Sequence, residues 1–112
     1  MLEIKTEETE GCFVVFLKGE LNAQSCAALQ SMLMEEISNG RHSLVICLTE
    51  LSFIASAGLR VLLIVARRMA AVKGKVSLIE GSAEIMEVLE ISGVKTLIPV
   101  YSSVDTAVQS SD

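Results

Sequence analysis

A chain of 112 residues, of which 51% are hydrophobic and 4% aromatic, is long and apolar enough to form one domain around an aliphatic core, which excludes a disordered protein. The chain has a net charge of −5 and no stripe of basic residues that could neutralise phosphates, so we do not expect direct nucleic-acid binding. No apolar run approaches the roughly 20 residues of a membrane span, so we do not expect membrane insertion. Three separated cysteines, without a Cys-x-x-Cys motif, and a single histidine predict free thiols in the cytoplasm and no metal site.

The first third of the chain is predicted to form a β-hairpin followed by a helix. Apolar and polar residues alternate over Leu2–Thr6, and the Phe- and Val-rich segment Cys12–Lys18 follows a turn at Gly11. Asn22 is a favourable N-cap, and apolar residues then recur at helical spacing over Ala23–Ser38. This pattern predicts two paired strands and one amphipathic helix.

The middle of the chain predicts buried strands that alternate with helices. His42–Leu48 is a nearly continuous apolar run, which is typical of a strand buried on both faces. The segment TELSFIA (49–55) is predicted to be a loop, and a second helix is predicted over Ala57–Val72, ended by Gly74. Lys75–Ile79 then predicts another buried strand.

The last third of the chain predicts short elements. Ser82 caps a helix over Ala83–Ile91 that Gly93 closes, Thr96–Ile98 is predicted to be a strand, and Ser102–Asp105 fits a capping box for a final helix. The resulting order, ββαβαβαβα, predicts one α/β domain with a mixed, mostly parallel sheet of about five strands and four helices.

No grouping of residues in the sequence is typical of an active site. There is neither a Ser-His-Asp or Cys-His arrangement nor a glycine-rich phosphate loop, so we expect a protein that is not an enzyme and needs no cofactor. The small residues Ser56-Ala57-Gly58 stand out at the predicted start of the second helix. Ser56 is an ordinary N-cap, an exposed hydroxyl that can be phosphorylated, or both, because a phosphate is stabilised by the free N–H groups of a helix start.

Three segments of the chain resemble the STAS domain of bacterial anti-sigma factor antagonists. They are GELN at Gly19–Asn22, LTELSFIASAGLRVLL at Leu48–Leu63 and ISGV at Ile91–Val94, in the order and spacing of the family. The resemblance covers essentially the whole chain and implies a single STAS domain over residues 1–112. Its most specific part is the phosphorylation loop, which matches Phe53–Leu59 here.

The resemblance implies a regulatory protein that acts by partner switching. Ser56 matches the serine that the partner anti-sigma factor phosphorylates in family members. An unphosphorylated member binds an anti-sigma factor of the serine-kinase type, so that the sigma factor is released and transcription is regulated indirectly. Phosphorylation breaks that complex, and a separate phosphatase restores it.

Two residues near the predicted site depart from the family pattern. Ala55 stands where the family commonly has Asp, and Asn22 stands where many members have Asp after Gly-Glu-Leu. The site is therefore expected to be less negative than in those members. The alternative function is that of a STAS subunit in another complex, such as a membrane assembly for lipid or solute transport, without regulation by phosphorylation.

The predicted partner surface joins this loop to the helix that follows. Asn22 and Ser56 both follow strands of a parallel sheet, so their loops are expected to meet at one end of it. The small loop residues are expected to give a partner close access to the backbone. On a helical wheel, one side is predicted to face the sheet, and it comprises Leu59, Leu62, Leu63, Ala66 and Ala70. The opposite side carries Arg60, Arg67 and Arg68 with Ile64 among them. The predicted contact residues are Asn22, Ala55, Ser56, Ala57, Gly58, Arg60 and Ile64.

Overall fold

Five strands form one sheet in the computed structural model, which describes residues 1–110. In chain order the strands are β1 (Leu2–Thr9), β2 (Cys12–Leu21), β3 (Ser43–Ile54), β4 (Lys75–Ile79) and β5 (Val100–Tyr101), and this is also their spatial order. The first two strands pair antiparallel, and all later neighbours pair parallel. The predicted hairpin and the mixed, mostly parallel sheet are therefore confirmed.

Helices cover the two faces of this sheet unequally. They are α1 (Ala23–Ser38), α2 (Ser56–Ala71), α3 (Ala83–Ser92), α4 (Val94–Leu97) and α5 (Val104–Gln109). Phe13, Val15 and Leu17 of β2 belong to the buried cluster formed with α1–α4, whereas Cys12 and Val14 belong to the cluster formed with α5. This split follows from the alternation of side chains along a strand. None of the helices within residues 1–110 is long and apolar enough to cross a membrane.

β3 continues past Leu48 as far as Ile54, so the predicted loop over 49–55 is wrong for most of its length. Two register shifts relative to β2 each place an extra residue in β3. Its buried residues then recur at every third position, at Leu48, Leu51 and Ile54. This spacing breaks the alternation that marks an ordinary strand, which is why the sequence favoured a loop.

The chain after α3 also differs from the prediction. Gly93 adopts a left-handed conformation, with φ of 84°, and a short extra helix, α4, follows it where a strand was predicted over Thr96–Ile98. The strand β5 begins only after Pro99, whose carbonyl accepts a hydrogen bond from the Leu78 N–H at 2.9 Å. The N-cap of α5 is Ser103 and not Ser102, because the Ser103 side chain accepts the Thr106 N–H.

The buried face of α2 is rotated from the face that the helical wheel predicted. Its buried residues are Gly58, Val61, Leu62, Val65 and Met69. Of the predicted inner face only Leu62 is fully buried; Leu59, Leu63 and Ala66 are half-buried, and Ala70 is exposed. The helical wheel placed the leucines on the inner face, but in the structure two β-branched valines and a methionine fill the space above the sheet. Leu59 and Leu63 therefore lie at the edge of the buried face and form part of the outer surface of the helix.

Candidate functional site

The starts of α1 and α2 lie side by side at one end of the sheet. Leu21 and Ile54, the last residues of β2 and β3, are paired, and the Ala55 N–H donates a hydrogen bond of 2.9 Å to the Leu21 carbonyl. Asn22 directly follows Leu21, the acceptor of this hydrogen bond, and Ser56 directly follows Ala55, its donor. The predicted proximity of these two residues is therefore confirmed.

The start of α1 is fully capped by side chains. The Asn22 Oδ1 accepts hydrogen bonds from the N–H groups of Gln24 and Ser25, both at 3.0 Å. In return, the Ser25 Oγ accepts the Asn22 N–H at 3.0 Å, which completes a capping box. The half-buried Asn22 side chain thus has a structural role, whether or not a partner also contacts it.

The start of α2 has no side-chain cap. Its N-cap residue is Ala55, which has no side-chain acceptor, and its first turn contains no acidic residue. Ser56 is the first residue of the helix and is exposed, so the N-cap interpretation of Ser56 is wrong. Its hydroxyl makes no hydrogen bond to any residue in 1–110. This helix start therefore presents a free hydroxyl beside backbone N–H groups that no side chain satisfies.

Gly58 is small for a reason other than the predicted access of a partner. It is buried, and a Cβ atom added to it would lie 2.9 Å from the Leu21 Cγ and from the Ile54 Cγ1. The glycine allows α2 to pack closely on the ends of β2 and β3. Among its neighbours, Ala57 is half-buried against the same core, while Ser56 is exposed. Gly58 is therefore removed from the predicted contact surface.

A shallow groove runs from Ser56 along the outer side of α2. A first hollow of about 530 Å³ is lined by Ser56, Leu59, Arg60, Leu63, Ile64 and Arg67. A second, of about 360 Å³, shares the last two of these residues and adds Met34, Arg68 and Ala71. We call these two hollows the α2 groove. Sequence reasoning placed Arg60 and Ile64 on this surface but assigned Leu59 and Leu63 to the core, because it set the inner face of α2 wrongly.

The arginines of the α2 groove are uncompensated. The side chains of Arg60, Arg67 and Arg68 are exposed and form neither an ion pair nor a hydrogen bond with any residue in 1–110. Arg41, by contrast, contacts Glu8 and Glu36 at 2.8 and 2.9 Å. The groove is therefore a cationic and apolar surface on a protein whose net charge is −5.

Other chemistry is sparse in the described part of the chain. Residues 1–110 contain no cluster of His, Cys, Asp or Glu that could hold a metal ion. All three cysteines are free and buried, and burial raises the pKa of the Cys26 thiol. A raised pKa lowers the reactivity of a thiol. The free Ser56 hydroxyl and the α2 groove are therefore the features on which we build a function.

Comparison with known proteins places this geometry in a family. A family model for the STAS domain matches residues 3–107. The chain belongs to the STAS-domain family. A relative from Bordetella bronchiseptica, BtrV, is named as an anti-sigma factor antagonist and is 32% identical over 106 residues, which are 95% of this chain and 91% of that protein.

Solved structures share the whole fold. An anti-sigma factor antagonist from Mycobacterium paratuberculosis has a TM-score of 0.91 at 21% identity, over 99% of this chain and 94% of that one. SpoIIAA, an anti-sigma factor antagonist solved in its unphosphorylated form, has a TM-score of 0.84 at 23% identity, over 96% of this chain and 95% of that one. The Bacillus SpoIIAA solved in its phosphorylated form has a TM-score of 0.76 at the same identity, over 96% and 98%. At these identities the structures establish the fold of the STAS domain.

Proposed function

We propose that this protein is an anti-sigma factor antagonist that is controlled by phosphorylation of Ser56. In its unphosphorylated form it binds a serine-kinase-type anti-sigma factor in the cytoplasm, which frees the sigma factor and so regulates transcription indirectly. Phosphorylation at Ser56 breaks the complex, and a phosphatase restores it. In this proposal the protein acts by binding its partner. It catalyses no reaction and needs no cofactor, and it neither contacts nucleic acid directly nor inserts into a membrane.

One observation carries this proposal: at the first position of α2, where the groove begins, the Ser56 hydroxyl is exposed and has no hydrogen-bond partner within residues 1–110. The membership of the STAS family and the name of the relative BtrV support the same function. In this proposal the partner contacts Asn22, Ala55, Ser56 and Ala57 at the two helix starts. It also contacts Arg60 and Ile64 in the groove.

Phosphorylation is expected to change the charge of this surface without unfolding the domain. The Ser56 Oγ forms a bond to the γ-phosphorus of ATP, the bond to the ADP oxygen breaks, and the hydroxyl proton is released. The product carries about −1.5 to −2 additional charges at pH 7. A helix N-terminus stabilises a negative charge, whereas a partner surface that fits a neutral serine must desolvate it. We therefore expect the complex to dissociate while the domain stays folded.

The test is the intact mass of the protein after incubation with ATP and a serine-kinase-type anti-sigma factor from the same organism. We expect one added phosphoryl group on the native chain and none on Ser56→Ala. The variant Ser31→Ala is the matched control, because Ser31 is an exposed serine in the middle of α1. It should be phosphorylated like the native protein.

Binding of the two forms completes the test. The unphosphorylated protein should form a stable complex in isothermal titration calorimetry, and the phosphorylated protein should not. An unchanged mass, together with recovery of membrane transport subunits in a pull-down from native lysate, would favour the alternative STAS function. Phosphorylation on a residue other than Ser56 would contradict the proposed site.

A further inference from the structure

Ser56 and Arg60 lie one turn apart on the same side of α2. Both side chains are exposed and line the same hollow. Four residues along a helix correspond to a rise of about 6 Å, and residues at this spacing are neighbours on the helix surface. A long arginine side chain can therefore reach a phosphate on the serine that precedes it by four positions.

Nothing in the described part of the chain competes for the Arg60 guanidinium. It forms no ion pair or hydrogen bond within residues 1–110. Among residues 1–110, the other charged residue that lines this hollow is Arg67, one more cation, and no carboxylate lines it. On the adjoining strands, the nearest acidic positions in the register are Glu20, next to the end of β2, and Glu50 in β3. Arg60 is therefore free to pair with an anion at the start of the helix.

We propose that Arg60 is the counter-ion of phosphorylated Ser56. The planar guanidinium donates paired hydrogen bonds to phosphate oxygens, while the uncapped start of α2 offers backbone N–H groups to the same phosphate. The phosphate thus folds back onto its own helix and neutralises the cation nearest to the loop. A partner that recognises the free Arg60 side chain loses that contact when Ser56 is phosphorylated. This inference rests on the proposed function, because it assumes that Ser56 carries the phosphate.

The experiment installs phosphoserine at position 56 during translation, so that no kinase is needed. The second pKa of the phosphate is read from a ³¹P NMR titration of the native background, of Arg60→Gln and of Arg68→Gln. The last variant is the matched control, because it removes the same charge at the far end of α2. Arg60 stabilises the dianion, so we expect Arg60→Gln to raise this pKa by about 0.2–0.4, as for an exposed pair one turn apart.

The outcomes separate a specific pair from a general effect of charge. Arg68→Gln should leave the phosphate pKa at the native value, and Arg60→Lys should restore part of the difference because it keeps the charge but not the fork of donors. Equal pKa values for Arg60→Gln and Arg68→Gln would overturn the pairing. Partner affinity, measured with the same phosphorylated protein, tests the proposed function separately, because the titration needs no partner.

Discussion

The starts of α1 and α2 occupy equivalent places in the fold but are built in opposite ways. Both follow parallel strands that end side by side. At α1, Asn22 and Ser25 satisfy each other's backbone groups in a capping box. At α2, Ala55 provides no cap, and the hydroxyl of Ser56 bonds to no residue in the described part of the chain.

This difference separates a structural helix start from one that is available for chemistry. The capped start contributes to stability, and its polar groups already have partners. The uncapped start lacks a favourable cap, so its first N–H groups have no side-chain acceptor and the Ser56 hydroxyl stays available. The predictions below change one start at a time, or the packing that the two share.

The largest effect is expected from the packing between the two starts. Leu21 is completely buried and lies against Gly58, so Leu21→Ala should lower the free energy of unfolding by about 2–5 kcal/mol. Gly58→Ala should cost about 1–3 kcal/mol from overpacking, partly offset by a gain of about 1 kcal/mol in helix propensity. The double variant should lose less than the sum, because the shorter side chain at position 21 leaves room for the new methyl group.

Urea unfolding of the four proteins in this cycle measures the coupling. We expect at least about 0.5 kcal/mol of interaction between the two sites. Leu89→Ala is the control, because it also truncates a completely buried leucine but lies on α3. If the losses of stability from Leu21→Ala and Gly58→Ala were strictly additive, contact with Leu21 would not be the reason that position 58 is a glycine.

Removal of the cap at α1 should have the next largest effect. Asn22→Ala leaves the N–H groups of Gln24 and Ser25 without their acceptor, which should cost about 0.5–2 kcal/mol in thermal or urea unfolding. Ser82→Ala removes the comparable cap of α3 and should cost a similar amount. If Asn22 also contacts the partner, only Asn22→Ala weakens the complex. Equal binding by both variants would limit Asn22 to capping.

Addition of a cap at α2 should act in the opposite direction. Ala55 already has the extended backbone of an N-cap, with φ of −88° and ψ of 168°. Ala55→Asp should therefore raise the free energy of unfolding by about 0.5–2 kcal/mol, since its carboxylate can accept an N–H group of the first turn that now has no side-chain acceptor. If Ala55→Asp does not raise the free energy of unfolding, the N–H groups at the start of α2 are already satisfied in another way. The contrast between the two helix starts would then not hold.

The smallest change in stability is expected at Ser56 itself. Ser56→Asp places a negative charge at the first position of α2, which should stabilise the protein by about 0.3–1 kcal/mol. The same charge should weaken partner binding, as we propose for the phosphate. Ser31→Asp is the control in the middle of α1 and should neither raise the thermal midpoint nor change the affinity. Undiminished binding by Ser56→Asp would contradict phosphorylation as the signal for release.

The elements that the sequence predicted best are those whose signals are local. The helix Ala23–Ser38 was predicted with its cap, because the Asn22 N-cap and the spacing of its apolar residues act within a few turns. β4 was predicted over Lys75–Ile79 for a similar reason, since a buried parallel strand is a short apolar run. The exposed position of Ser56 at the start of α2 also followed from local signals, as did the exposed arginines.

The tertiary structure alone decided the parts that depend on neighbours. The extension of β3 to Ile54 requires pairing with β2 across two register shifts, which no periodicity in one strand reveals. The inner face of α2 was set by the space above the sheet, so that Leu59 and Leu63 were left to line the groove. The reason for Gly58 became visible only with the side chains of Leu21 and Ile54 beside it. Sequence patterns encode local conformation, whereas the register of strands and the packing of a helix against a sheet depend on residues far apart in the chain.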